Sequence, residues 1–281
     1  MRRSVISIFI AALVVLIYPA TALAATLPRL GTAGNYAVLA GSTITNTGPS
    51  WITGKVGLSP GKAITGFPPG TSGHRDIANG AALQAKNDLI TAYNDAAGAT
   101  PFTTITGNIG NRTLVAGTYK TTGALSGTLV LSGGGVYIFQ QPSTLVTASS
   151  SRVVLTNGAQ PCDVFWQVTS SATIGTASQM VGTIMALASI TMTTGATLNG
   201  RALARNAAVT LDTNRIIQPS GCGYGVPASV AGPSGTTLPA SLGVPLELRG
   251  EFPWLLVIGM GAGIGATALG VISARRRRRT A

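Results

Sequence analysis

Met180-Val181-Gly182-Thr183-Ile184 is the clearest copy of a five-residue phrase that decides the fold of this 281-residue chain. The phrase holds an apolar residue, a small or polar residue, glycine, any residue and a second apolar residue. Further copies are Ile52-Thr53-Gly54-Lys55-Val56, Ile105-Thr106-Gly107-Asn108-Ile109 and Leu125-Ser126-Gly127-Thr128-Leu129, with weaker ones at Ile64-Thr65-Gly66-Phe67-Pro68 and Leu198-Asn199-Gly200-Arg201-Ala202. Short strands with glycine corners, repeated many times, predict an all-β solenoid whose coils stack on one another.

Apolar and polar residues alternate with period two along most of these segments. Side chains alternate between the two sides of a strand, so an inward Ile44 leaves Thr43 and Thr45 outward. The same reasoning predicts the outward positions Thr53, Thr65, Thr128, Thr173, Thr191, Thr193, Thr210 and Asp212. We therefore expect flat outer faces that are rich in threonine.

Residues 74–97 break this pattern, because they hold alanine at helical spacing instead of alternating residues. Residues spaced by three and four positions share one face of a helix, and here they are Ala78, Ala82, Ala85, Leu89, Ala92 and Ala96. Gly98 is a typical stop signal. The segment predicts one long helix packed along the solenoid.

The first 24 residues have the features of a secretory signal peptide. Arg2 and Arg3 precede the apolar stretch Val5–Tyr18, and Ala22-Leu23-Ala24 matches an A-x-A cleavage site. We expect cleavage after Ala24, with an uncleaved anchor as the alternative. Export predicts an extracellular domain over residues 25–219, followed by a stalk rich in Gly, Pro and Ser over residues 220–250.

The other end of the chain predicts a membrane anchor. Phe252–Ala274 is apolar and uncharged, and residues 251–274 are long enough for a transmembrane helix. The arginines at 275–279 keep the basic tail, residues 275–281, in the cytoplasm. We therefore expect a single-pass protein of the cell membrane.

Two details of this end leave alternatives open. Leu238-Pro239-Ala240-Ser241-Leu242 resembles the Leu-Pro-x-Thr-Gly sorting motif of Gram-positive cell walls but departs from it at the last two positions. Covalent attachment to the wall is thus the alternative to a retained helix. The glycines between 259 and 265 form G-x-x-x-G patterns, which allow a weak helix-mediated dimer.

The chain has two cysteines, Cys162 and Cys222. An even count in an exported protein favours a disulfide, with two free thiols as the alternative. The spacings typical of zinc ligands are absent from the sequence, so no metal site is predicted.

The net charge of +12 is concentrated at the two ends of the chain. Without the seven arginines of those ends, 12 basic residues stand against 7 acidic ones, and the remaining basic residues are scattered. Nucleic-acid binding uses clustered Lys and Arg, usually with aromatic residues, so we expect no nucleic-acid partner.

Catalytic residues are not indicated either. His74 is the only histidine, and the carboxylates form no cluster in the sequence, so we predict no catalytic residue, no cofactor and no enzyme activity. Core or corner positions are the favoured interpretation for Trp51, Trp166 and Tyr119, with stacking on sugar as the alternative.

Outward threonines on stacked strands form a two-dimensional grid. Neighbouring strands lie about 4.8 Å apart, and alternate residues along a strand lie about 6.6–7 Å apart. Each threonine offers a methyl group and a hydroxyl group on a side chain with few rotamers. A rigid, uncharged grid of this kind suits a layer of ordered water.

The chain resembles microbial ice-binding proteins of the discontinuous β-solenoid type over residues 27–219. The motifs that carry the resemblance are Leu30–Tyr36, Ile52–Pro60, Leu114–Lys120, Val136–Gln140, Val164–Val168 and Thr197–Ala204. The resemblance implies a three-faced β-solenoid with one long helix alongside. It also implies binding to the surface of ice crystals, which limits their growth or recrystallisation.

Within that family, the face formed by the first and last coils is the expected ice-binding surface. In this chain the expectation selects Thr43, Thr45, Thr53, Thr65, Thr191, Thr193 and Thr210. Lys55, beside Thr53, is a charged departure from such a face. The alternative functions are a membrane-anchored adhesion or spacer module without ice activity, and a polysaccharide-acting β-helix enzyme.

Overall fold

The computed structural model describes residues 25–222. It contains one α-helix, α1 (Gly80–Ala97), and two short 3-10 turns, Gly31–Asn35 and Pro161–Asp163, within these residues. The strands in chain order are β1 (Tyr36–Ala40), β2 (Thr43–Thr47), β3 (Trp51–Thr53), β4 (Lys55–Leu58), β5 (Ala63–Thr65), β6 (Thr71–Ser72), β7 (Arg75–Ile77), β8 (Thr103–Ile105), β9 (Arg112–Leu114), β10 (Gly117–Thr121), β11 (Thr128–Ser132), β12 (Tyr137–Gln141), β13 (Leu145–Val146), β14 (Arg152–Thr156), β15 (Val164–Val168), β16 (Ala172–Ile174), β17 (Gln179–Ala186), β18 (Ile190–Met192), β19 (Thr197–Ala204), β20 (Val209–Asp212) and β21 (Arg215–Ile217).

The predicted signal peptide, the stalk beyond residue 222, the sorting motif, the transmembrane helix at 251–274, the glycine pattern and the basic tail lie outside the described residues. In the part of the chain that the structure describes, no helix is both long and apolar enough to cross a bilayer.

Every strand pairing between residues 25 and 222 is parallel, and the pairings sort the strands into three faces. Face A consists of β8, β10, β12, β15, the second halves of β17 and β19, β1, β4 and β7. Face B consists of β13, β16, β18, β20, β2 and β5. Face C consists of β9, β11, β14, the first halves of β17 and β19, β21, β3 and β6. Most coils visit A, B and C in turn, which confirms the predicted solenoid.

The order of the coils in space differs from their order in the sequence. The first coil, β1 to β3, pairs on one side with the second coil and on the other with the last strands of the domain, β19 to β21. After the second coil the chain passes through α1 and starts again at β8, at the opposite end of face A. The solenoid is therefore discontinuous, and its first and last coils are neighbours.

Glycines allow the chain to turn between faces at close packing. At Gly182, where β17 passes from face C to face A, φ is +101°, a conformation that side-chain-bearing residues rarely adopt. At Gly200, one coil along, an added Cβ would lie 1.8 Å from the carbonyl oxygen of Gly182. The repeated phrase in the sequence thus marks corners where neighbouring backbones come too close for a side chain.

The interior is filled by apolar side chains from all three faces. In face A the rings of Tyr119, Phe139 and Trp166 stack on successive strands, with centroid separations of 5.6 and 4.1 Å. Trp166 and Tyr119 are buried, as the sequence predicts, whereas Trp51 is not in the core: its side chain is 64% exposed on face C.

Helix α1 packs against the outer side of face A, as predicted, but it begins at Gly80 and not at residue 74. The cause is local: Arg75–Ile77 pairs with β4 as a strand, and the side chain of Asn79 caps the helix by accepting a hydrogen bond from the Ala82 amide. The predicted face from Ala82 to Ala96 is buried against Leu39, Ile138, Phe165, Met185 and Leu203.

Three carboxylates on or near α1 contact the N-terminal segment and β1. Asp95 forms an ion pair with Arg29 at 2.9 Å, Asp88 accepts hydrogen bonds from Thr32 at 2.6 Å, and the buried Asp76 accepts one from the Tyr36 hydroxyl at 2.8 Å. The Arg29 hydrogen bonds hold the pKa of Asp95 below its usual value. These acidic groups therefore have structural partners.

Lys86 fastens the same helix to face A. Its buried ammonium group donates to the carbonyl oxygen of Ala204 at 2.6 Å and to that of Arg205. Burial, with a smaller contribution from the charge of Arg205, lowers the pKa of Lys86 to about 8.

Cys162 and Cys222 form the predicted disulfide, with Cα atoms 5.3 Å apart and a sequence separation of 60 residues. Cys162 lies in the 3-10 turn before β15, and Cys222 lies five residues after the end of β21. The bond ties the end of the domain to an inner coil.

Candidate functional site

Face B carries a straight column of threonines across five consecutive strands. The register pairs Thr173 with Thr191, Thr191 with Thr210, Thr210 with Thr45, and Thr45 with Thr65. Val146 continues the column on the sixth strand, β13. With strands about 4.8 Å apart, the column extends for about 24 Å along the solenoid.

Shorter columns flank this central one. Thr43 is paired with Ala63 on one side, and the hydroxyls of Ser171 and Ser189 are hydrogen-bonded at 2.9 Å farther along the same edge. On the other side Thr47 is paired with Asp212. Thr193, which follows β18 and whose amide bonds to the Ile174 carbonyl, lies along this second edge. Face B is thus a grid of small side chains about three columns wide.

The threonines are held in place from inside. The residues before and after each central threonine point inward, and those of the four inner strands, such as Ile44, Val209, Ile190 and Ala172, are fully or almost fully buried. Because the inward side chains are locked in a packed core and threonine has few rotamers, the outer grid is rigid before any ligand arrives.

The central hydroxyl groups are available to water. The hydroxyls of Thr45 and Thr210 are 3.3 Å apart and hydrogen-bonded to each other. Within residues 25–222, the side chains of Thr65, Thr173 and Thr191 make no hydrogen bond with another protein group. Each residue is partly or fully exposed, so each offers a methyl group and a hydroxyl group to the solvent.

Face B is almost free of charge. In the six strands that form it, Asp212 is the single charged residue. It lies at the edge of the face, and its carboxylate accepts hydrogen bonds from the hydroxyls of Thr194 and Thr213. Charged groups orient water strongly around themselves, so their near absence leaves the pattern of hydroxyls to organise the water layer.

The structure brings together six of the seven predicted site residues and separates the seventh. The central column contains four of them, and the flanking columns contain Thr43 and Thr193. Thr53 lies on face C, where it is paired with Ile217 of β21. The chain turns a corner between the end of β2 at Thr47 and the start of β3, so Thr53 and Lys55 do not belong to the face that carries Thr45.

Two threonines of face B were not among the predicted site residues. The alternation predicts that Thr173 points outward, but its register with Thr191 is not visible in the sequence. Thr47 continues the alternation of Thr43-Ile44-Thr45-Asn46, so extending the strand by two residues would have found it. Asn46 between them points inward and donates to the carbonyls of Gly48 and Gly66, both at 2.8 Å.

The groups that usually carry catalysis or bind metals are scattered. No group of three or more His, Cys, Asp or Glu residues lies close enough to hold a metal ion in the described part of the chain. His74 contacts Asp76 at 3.3 Å, but that carboxylate also accepts from Tyr36 and Asn79. This arrangement connects β7, the helix start and β1.

Comparison with known proteins places this geometry in context. Residues 38–217 match the family described as Ice-binding-like. An ice-binding protein of Nostoc sp. (strain HG1) is 48% identical over 202 residues, which cover 69% of this chain and 75% of that protein. An ice-binding protein of Colwellia sp. is 36% identical over 68% of this chain and 84% of its own length.

Crystal structures of two ice-binding proteins superpose on this chain. The crystal structure of an ice-binding protein from an Antarctic biological consortium superposes with a TM-score of 0.68 at 46% identity, covering 72% of this chain and 95% of the other. That of an ice-binding protein from the Antarctic ascomycete Antarctomyces psychrotrophicus has a TM-score of 0.66 at 41% identity, covering 69% and 99%.

Proposed function

We propose that this chain, which belongs to the Ice-binding-like family, binds ice crystals. We propose face B as the surface that contacts the ice. The single observation that supports face B most strongly is the column of five threonines in register on neighbouring strands. Bound protein would limit the growth or recrystallisation of the crystals.

The mechanism follows from the geometry of the grid. The methyl group of each threonine lies against water that it cannot hydrogen-bond, and the adjacent hydroxyl anchors that water in place. Repetition every 4.8 Å or so along the solenoid gives the water layer a regular spacing. Because the grid is rigid, little conformational entropy is lost when this layer merges with a crystal surface.

Non-enzymatic action is part of the proposal. The relatives are named as ice-binding proteins, and ice binding needs no reacting group. An adhesion or spacer module without ice activity would not require five threonines in register on an uncharged face, so face B favours the ice-binding interpretation.

The experiment that tests the proposal compares the same substitution on two faces. Thr191→Tyr and Thr210→Tyr each place a ring in the middle of the central column, so ice shaping and thermal hysteresis should be lost. Thr53→Tyr is the matched control on face C, and it should retain activity. An exposed Thr substitution usually changes stability by within about 0.5 kcal/mol, so all three variants should melt close to the parent.

Full activity in Thr191→Tyr and Thr210→Tyr, or loss of activity in Thr53→Tyr alone, would show that face B is not the ice-binding surface. An inactive parent protein at high concentration would refute ice binding itself. Inhibition of recrystallisation in frozen sucrose solution provides a second readout that does not depend on crystal shape.

We also propose that the domain is displayed outside the cell and anchored in the cell membrane by residues 251–274. This proposal is supported by the apolar segments and flanking arginines at both ends of the sequence. The Cys162–Cys222 disulfide also supports it, because disulfides persist in oxidising compartments. Protease added to intact cells should remove the domain and leave the anchor in the membrane fraction. Release of a chain that ends near Ser241 by wall-degrading enzyme would instead indicate sortase attachment.

A further inference from the structure

Face C differs in chemistry from face B, although both are flat sheets. One column of its outward side chains is in register across seven strands, and it comprises Thr128, Arg152, Gln179, Thr197, Arg215, Trp51 and Thr71. Beside it runs a more apolar column that includes Val154, Val181, Asn199, Ile217 and Thr53. Face C therefore combines guanidinium, amide, hydroxyl, aromatic and aliphatic groups in one surface.

Two shallow troughs lie along these columns. The first has a volume of about 250 Å³, and its lining includes Gln179, Thr197, Asn199 and Arg215. The second, of about 350 Å³, has Trp51, Thr53, Thr71 and Ser72 in its lining. Arg215 of the first is the direct strand neighbour of Trp51 of the second, so the troughs follow one another along the face.

Trp51 is an exposed aromatic residue on this surface. Its side chain is 64% exposed on a strand whose inward neighbour, Ile52, is buried. Exposed tryptophan rings offer a large flat apolar surface with few rotatable bonds, which suits stacking against a ring. Pyranose rings have such apolar faces, and their hydroxyl groups match the amides and hydroxyls of the adjacent column.

The charge of face C selects an anionic ligand. Arg152 and Arg215 lie in the column itself, and Arg75 lies beside the second trough with its Nε 2.9 Å from the Ser72 hydroxyl. No Asp or Glu occurs in the strands of face C between residues 25 and 222. Guanidinium groups bind carboxylates through paired hydrogen bonds, which gives both charge and orientation.

The spacing of the charges separates a polysaccharide from a nucleic acid. Arg152 and Arg215 are three strand spacings apart, or about 14 Å. A nucleic acid carries a phosphate about every 3.4 Å along each strand and is usually met by a much denser basic surface. A glycan chain with carboxylates on some or all of its sugars can place them at wide intervals, while the intervening sugars contact Trp51 and the threonines.

We propose that face C binds an acidic polysaccharide through its uronate carboxylates. The polysaccharide lies along the two troughs, with a sugar ring stacked on Trp51. Its carboxylates pair with Arg215 and Arg152. This site is separate from face B, so the protein can hold an anionic glycan on one face and ice on another.

The test uses the purified full chain and oligogalacturonate long enough to cross face C. Binding is measured by calorimetry at low salt, beside the methyl-esterified form of the same oligomer, which has the same sugars without the charges. Arg215→Ala should weaken oligogalacturonate binding about tenfold or more, because it removes a charge-assisted hydrogen-bond donor to a carboxylate. Trp51→Ala should weaken it to a similar extent, about tenfold, because it removes the apolar surface on which a sugar ring stacks. Lys120→Ala on face A is the control that removes one positive charge elsewhere and should leave affinity unchanged.

Ice shaping by Trp51→Ala and Arg215→Ala should equal that of the parent, which distinguishes this proposal from the proposed function of face B. Equal affinity for the esterified oligomer would overturn the role of charge. Unchanged binding in Trp51→Ala and Arg215→Ala, no binding of oligogalacturonate by the parent, or tighter binding of a single-stranded oligonucleotide would overturn the proposal.

Discussion

Removal of the disulfide is the perturbation whose magnitude the structure defines best. Cys162 and Cys222 close a loop with a sequence separation of 60 residues, and this loop contains β15 to β21. The loop-entropy relation gives a stabilisation of about 4 kcal/mol for a loop of this length. In a domain of roughly 200 residues each kcal/mol shifts the melting temperature by about 2–4 °C, so the double variant Cys162→Ser, Cys222→Ser should melt about 8–16 °C lower.

Little should change in the folded protein itself. β21 ends at Ile217 and keeps its pairings with β19 and β3, while the side chain of Gln218 still donates to the Gly34 carbonyl at 2.9 Å. The stabilisation acts mainly by restricting the unfolded chain. Ice shaping near 0 °C, far below either melting temperature, should therefore be the same in the variant and the parent.

Calorimetric melting of the double variant, each single variant and the reduced parent checks this reasoning. All four should fall to a similar temperature, because each lacks the same bond. A double variant with the same melting temperature as the oxidised parent would refute the loop-entropy argument. Loss of ice activity in a variant that remains folded would show that the bond shapes face B directly.

The remaining predictions concern packing and protonation. Gly200→Ala should destabilise the domain by about 4 kcal/mol or more, since the new Cβ would lie 1.8 Å from the carbonyl oxygen of Gly182, and denaturant unfolding measures the loss. Ala85→Tyr should lower the free energy of unfolding by about 3 kcal/mol or more, because it overpacks the buried face of α1. Ice shaping by the protein that remains folded should persist. A melting temperature equal to that of the parent would refute the packing argument. The pKa of Lys86 is lowered to about 8, so the folded protein loses this proton before the unfolded chain does. The free energy of unfolding should therefore rise from about pH 8 towards pH 10.5 relative to Lys86→Met, and parallel pH profiles of the two proteins would contradict the shift.

Local features of the sequence determined the building blocks. Alternation around Ile44 and Ile190 predicted which side chains point inward, because successive residues of a strand face opposite sides. The phrase around Gly182 predicted corners, and alanine spacing predicted the buried side of α1. These features depend on neighbours within a few positions, which is why the sequence alone was enough to predict them.

Which side chains share a surface was decided by the tertiary structure. Thr45 and Thr210 are 165 residues apart in sequence, and their hydroxyls lie 3.3 Å apart because the last coil stacks on the first. Thr53 was separated from Thr45 by a corner, and Arg215 was brought beside Trp51 on face C. Alternation distinguishes two sides of a strand, but a coil has three faces, and only the stacking of distant coils sets which face and which register each strand takes.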